Sequence, residues 1–181
     1  RGMKTFKIAI RIILVLFLLF VFSGLDCRMK VRRYTIASSK ITQPLKIVLI
    51  TDLHSCSYGK GERRIVKKID KFCPDMIMLG GDIYDDDLPM DITTEFLNNI
   101  GPRYKCFYVT GNHEVWPGQL DSIKTLVSSA GISILDREKI RLKHGKDTIN
   151  LCGWPDVTEH HTWSQVWTGI DSLARDCDST F

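Results

Sequence analysis

Asp52, His54, Asp82, Asn112 and His113 are the residues whose types and spacing could do chemistry. Each group follows a short apolar run. Lys46-Ile-Val-Leu-Ile50 leads into Thr51-Asp52-Leu53-His54. Met76-Ile-Met-Leu79 leads into Gly80-Gly81-Asp82. Cys106-Phe-Tyr-Val109 leads into Thr110-Gly111-Asn112-His113-Glu114. Carboxylates, imidazole and an amide oxygen make a mixed hard and borderline donor set, which favours Mn, Fe, Zn or Co over calcium. Any one cluster has a plain reading as a polar loop or turn. The three together, in order and each after an apolar run, point to a metal centre. Asp52 and Asp82 are 30 residues apart, as are Asp82 and Asn112. Each interval has room for one crossover helix.

The apolar runs read as strands buried on both faces of a parallel sheet. Between them, Glu62 to Phe72 carries Ile65, Val66, Ile69 and Phe72 at helical spacing, with a Lys/Arg-rich outer face and Pro74 as its stop. Asp91 to Ile100 reads as a second helix, stopped by Gly101-Pro102. Pro117 opens a third through Ala130, closed by Gly131. Ile132–Leu135, Lys139–Leu142 and Thr148–Cys152 read as shorter strands, with a turn at Gly145-Lys146-Asp147, and Val166–Cys177 as a last helix. Strands alternating with helices predict an α/β fold with a largely parallel sheet. Ligands in such sheets lie at the carboxyl ends of the strands, so the three clusters should share one rim. Gly81 and Gly111 let the backbone turn sharply there.

The stretches Ile-Thr-Asp52-Leu-His54, Leu-Gly-Gly-Asp82 and Val-Thr-Gly-Asn112-His113-Glu114 resemble the calcineurin-like metallophosphoesterases, especially their membrane-associated bacterial branch. The resemblance covers residues from about 46 to 115. It implies a layered sandwich of mixed sheets flanked by helices, and two divalent transition metal ions. Asp52 and His54 would bind the first metal, Asp82 would bridge, and Asn112 would bind the second. His113 would act at the phosphate as general acid or charge stabiliser. Glu114 would orient neighbours rather than ligate. Paired metals would lower the pKa of a bridging water and hold the phosphate for in-line attack. The implied substrate is a phosphomonoester, phosphodiester or pyrophosphate, with a lipid-linked one favoured by placement alone. The alternative is a catalytically silent binding module that keeps the fold.

The family pattern also needs histidines further along, in a Ser/Gly-His-x-Pro-like and a Gly-His-x-His segment. Neither occurs. His144 falls in a turn, and Glu159-His160-His161 in a loop. The expectation is therefore a truncated domain over 45–181, inactive by itself. The four tryptophans, Trp116, Trp154, Trp163 and Trp167, read mainly as packing residues.

Nine of the 25 Lys/Arg and one of the 21 Asp/Glu lie in residues 1–40, so 41–181 holds 16 basic and 20 acidic side chains. An acidic body argues against a nucleic-acid partner. The basic residues flank an uncharged run, Ile12 to Leu25. Residues 1–25 therefore read as a single-pass anchor in a membrane, a cleaved signal peptide being the alternative. Residues 26–44 read as a basic juxtamembrane linker, with Arg33–Ile36 an edge strand. Positive charge on both sides leaves the orientation open. Of the six cysteines, Cys106 and Cys152 read as buried small hydrophobes.

Overall fold

The computed structural model describes residues 29–159 and 162–175, together with Phe6, residues 10–17 and Phe20. The chain divides into two units, Arg1–Thr35 and Ile36–Phe181. In the first unit, Phe6, residues 10–17 and Phe20 are helical and exposed. Residues 29–38 form no strand, so the edge strand expected at Arg33–Ile36 does not form.

The single-pass anchor also needs correcting. No helix among the described residues is long and apolar enough to cross a membrane. The physical reason is length. Fourteen uncharged residues would reach on the order of 20 Å as a helix, against a hydrocarbon core of about 30 Å. The preference for a lipid-linked substrate rested on that anchor and is not carried forward.

The second unit is built on a four-stranded parallel sheet. Its strands are β1 (Ile47–Ile50), β2 (Met76–Gly80), β3 (Cys106–Val109) and β4 (Ser133–Ile134), in the spatial order β1-β2-β3-β4. The crossovers carry α1 (Arg63–Phe72), α2 (Asp91–Ile100), and then α3 (Asn112–Val115) with α4 (Leu120–Ser129). Strands laid down in sequence order with right-handed crossovers place these helices on one face. The pleat supports this division. Ile77, Leu79 and Tyr108 point one way and are almost wholly buried. On the other face Met76, Phe107 and Leu135 pack with Leu45, Met78, Val109, Ile140, Leu142 and Leu151. Much of that second layer is a hairpin of β5 (Glu138–His144) and β6 (Asp147–Gly153), antiparallel and joined at Gly145-Lys146. A final helix, α5 (Trp163–Arg175), buries Val166.

Each helix follows from its sequence. α1 buries Ile65, Val66 and Ile69 and leaves Arg63, Arg64, Lys67, Lys68 and Lys71 in solvent. It ends where Cys73 turns left-handed at φ 48° and donates to Ile69 and Asp70 carbonyls, with Pro74 next. α2 buries Thr93, Phe96, Leu97 and Ile100. α4 begins at Leu120 rather than Pro117, because Pro117-Gly118 forms a turn with Gly118 at φ 68°. The segment Asn112–Val115 is one short helical turn.

Two further expectations fail for tertiary reasons. β1 is an edge strand with Leu49 64% exposed, since the hairpin layer lies over β2 and β3. Cys152 is exposed, while Cys106 is buried and its thiol is pushed up to about 12 by that burial. His144 ends β5 just before the Gly145-Lys146 turn and stays half-exposed. Its Nε2 lies 3.0 Å from the Pro44 carbonyl oxygen. Nearby, buried Asp147 accepts from the backbone amide and hydroxyl of Thr42, both at 2.8 Å, and so ties the lead-in to β1 onto the hairpin.

Candidate metal centre

Parallel strands send their carboxyl ends to one rim, so Asp52, His54, Asp82, Asn112 and His113 all lie in the loops or first turn beyond β1, β2 and β3. The first two loops are stitched together by backbone. Asp52 donates its N–H to the Gly81 carbonyl at 3.3 Å, His54 to Asp82 at 3.0 Å and Ser55 to Ile83 at 3.2 Å. Asp52, His54, Ser55 and Asp82 all sit in the left-handed region, at φ 54°, 47°, 48° and 53°. Such conformations cost about 1–3 kcal/mol each and persist only where the surroundings enforce them. They cluster here at the rim.

The second and third loops touch backbone to backbone. A Cβ on Gly81, at φ 88°, would lie 3.0 Å from Gly111 N and Cα. Asp82 Oδ1 accepts from the His113 amide at 3.1 Å. The result is a convergence. His54, Asp82 and His113 each offer a donor atom, all within 4.8 Å of one another. The two imidazole rings meet edge to face at 4.4 Å. Asp85, Asp86 and His113 form a second converging group. Asp52 is exposed and belongs to neither group among the described residues. Asn112 opens α3 and is half-buried. His160 and His161 lie outside the described residues.

Asp85 and Asp86 were not singled out in the sequence, although two acids within four residues of Asp82 are a signal for them. His113 Nδ1 lies 2.8 Å from Asp86 Oδ1, and His54 Nδ1 3.4 Å from Asp85 Oδ2. The hydrogen bond to Asp86 raises the His113 pKa above its ordinary value, helped by the charges of Asp82, Asp86 and Asp85 and opposed by desolvation. The same bond lowers the carboxyl of Asp86. A raised histidine pKa means the pairing stabilises the fold below the ordinary value near 6.5 and loses its effect as pH rises through the folded value. Asp86→Asn should therefore move the His113 imidazole titration of the metal-free protein downward. Its stability deficit should be present in acid and vanish in alkali. Imidazole NMR titration and urea unfolding across pH read both effects.

The residues fit a divalent transition metal. His54 and Asp82 pair a borderline with a hard donor, their donor atoms converge with His113 beside them, and the histidines stay a quarter to a third exposed. That exposure leaves an open face for water or substrate. Trp116, 57% exposed, stands beside it with its ring 4.8 Å from that of His113. The other tryptophans do not gather at the converging donors. Trp154 lies under the Arg137 guanidinium, and Trp163 and Trp167 are exposed on α5.

Comparison with known proteins agrees with this geometry. Residues 45–178 match the family model for the calcineurin-like phosphoesterase domain. A Helicobacter pylori protein named an uncharacterized metallophosphoesterase is 32% identical over 131 residues, covering 70% of this chain and 34% of that relative. A Campylobacter jejuni protein of the same description is 26% identical, over 85% of this chain and 43% of the relative. A zebrafish protein, Danio rerio, named a transmembrane protein with metallophosphoesterase domain, is 27% identical over 62% and 27%. The chain thus spans about a quarter to under half the length of these relatives. Among solved structures, a phosphopantetheinyl hydrolase from Mycobacterium tuberculosis aligns over 59% of this chain and 41% of its own, at 17% identity and a TM-score of 0.46. With the matched segment spanning the sheet, the hairpin and all three rim loops, the chain belongs to the calcineurin-like phosphoesterase family.

Proposed function

We propose that this domain hydrolyses a phosphoester or phosphoanhydride bond with a divalent metal pair held by Asp52, His54, Asp82 and Asn112. The observation that carries the reading is the convergence of His54, Asp82 and His113 at the carboxyl rim of the parallel sheet. The metals supply Lewis-acid chemistry and lower the pKa of water. The protein's own residues supply placement. Asp82, at the centre of the rim, accepts from the His54 amide through its carbonyl and from the His113 amide through Oδ1, and would be the central donor to the metals. His113 acts at the phosphate. Asp86 on its Nδ1 selects the tautomer and favours the charged form, which leaves Nε2 to stabilise charge or protonate the leaving oxygen. Asp85 Oδ2, 3.4 Å from His54 Nδ1, is placed to orient that ring.

The 181-residue chain alone turns over slowly in this reading, because its recovered donors fill the metal shells only in part. Calorimetric titration of Mn2+ into metal-free protein tests the site. Binding is expected, weakened about 10–100-fold in Asp82→Asn. Absence of binding for Mn2+, Zn2+, Co2+ and Fe2+ would leave a silent module as the better reading. Hydrolysis of an aryl phosphodiester tests the second part. Rapid turnover abolished by substituting His160 and His161 would show that the chain completes its own site.

A further inference from the structure

Glu114 is fully buried and sits directly after His113. A buried carboxylate needs donors on both arms, and this one has five. Oε1 accepts from Ile83 N at 2.7 Å, Tyr84 N at 3.0 Å and the Tyr108 hydroxyl at 2.7 Å. Oε2 accepts from Asp82 N at 3.0 Å and Gly111 N at 2.8 Å. Three consecutive amides of the second loop and one of the third therefore close around a single side chain. The Tyr108 pKa is held well above its ordinary range, by burial first and by Glu114 next, so its hydroxyl stays a donor.

We propose that Glu114 is the positioning residue of the metal centre, pinning the loops after β2 and β3 to each other and holding Asp82 in its left-handed conformation. The inference rests on the metal-site reading above and adds the device that shapes the site. Its reach extends to the first loop. The carbonyls of Asp82 and Ile83, whose amides Glu114 grips, accept from His54 and Ser55. Ser55 Oγ in turn accepts from Thr93 Oγ1 at 3.1 Å and Asp85 N at 3.3 Å. One carboxylate thus sets the backbone beneath Asp82 directly and beneath His54 at one remove. It touches no substrate and no metal.

Glutamine is the informative substitution. It keeps the size but offers one acceptor and one NH2, so either amide orientation turns two or three donors against a donor. In Glu114→Gln, hydrogen exchange should quicken at the amides of Asp82, Ile83, Tyr84 and Gly111 together. Mn2+ affinity should fall about 10–100-fold while the circular dichroism stays that of the parent. Glu62→Gln is the control. Glu62 is also buried, and both its oxygens accept from Tyr58 N, at the far end of the first loop from Asp52 and His54. It should lower the melting temperature without moving Mn2+ affinity, which separates positioning from plain stabilisation. Parent-like exchange at the four amides in Glu114→Gln, or parent-like Mn2+ affinity, overturns the proposal. If that variant does not fold, Glu114→Asp carries the test. It keeps both acceptors but withdraws them by one methylene, so Mn2+ affinity should fall about tenfold, and unchanged affinity overturns the proposal. A parent protein that binds no Mn2+ would sink the metal reading alone, since the four amides would still report on Glu114.

Discussion

Gly111→Ala should lower divalent metal affinity at least about 100-fold, the range seen when supporting groups or positions near a site shift by about 1 Å. The reason is contact with a proposed ligand, Asp82. A Cβ at Gly111 would lie 2.5 Å from Asp82 N and closer still to Asp82 Oδ1. Its neighbours include backbone, so no side-chain rotation relieves it. Asp82 must move, and with it the hydrogen bond from the His113 amide and the Gly111 amide bond to Glu114. Gly111 has φ −103°, an ordinary extended conformation that alanine adopts freely. The requirement is for space, not for torsional freedom. Overpacking of this kind also costs about 1–3 kcal/mol of stability. Mn2+ titration and urea unfolding on the same preparation separate the two effects. Parent-like Mn2+ affinity in Gly111→Ala would show that Asp82 is not held where its ligand role requires.

Phe96→Ala should cost about 3–5 kcal/mol, the usual range for truncating a fully buried phenylalanine. Phe96 has no exposed surface and is flanked on α2 by Leu97 and Ile100, equally buried. For a chain of this size the melting temperature should fall on the order of 10 °C. The site is involved through α2. Thr93 bonds Ser55, and Thr94 Oγ1 lies 3.1 Å from the Tyr84 hydroxyl. The helix is a buttress under the first two loops. A loss under about 1 kcal/mol in urea unfolding would place Phe96 outside the packed core.

Much of this was legible in the residues. Short continuous apolar runs marked β1, β2 and β3 to within one residue, because a strand's apolar run stands out directly in the sequence. The helices Arg63–Phe72 and Asp91–Ile100 followed from spacing and stops. The placement of these residues at strand ends was legible as well, since each group directly follows an apolar run. Asp85 and Asp86 were missed because their role exists only across loops. Asp86 meets His113 from 27 residues away, and nothing local to either predicts it. The edge exposure of β1 was missed for a related reason. A run such as Ile-Val-Leu-Ile reports affinity for an apolar environment, not whether another layer arrives to cover it.

The chemical inventory was therefore in the sequence. Asp52, His54, Asp82, Asn112, His113 and Glu114 stand where local apolar runs end, and strand order sends them to one rim. The tertiary structure decided their relations: which donors converge, that Asp86 meets His113 and raises its pKa, and that Glu114 closes on four amides. Donor types and strand ends are local properties of a chain. Convergence depends on distances between loops about 30 residues apart, which exist only once the sheet and its buried carboxylate hold those loops together.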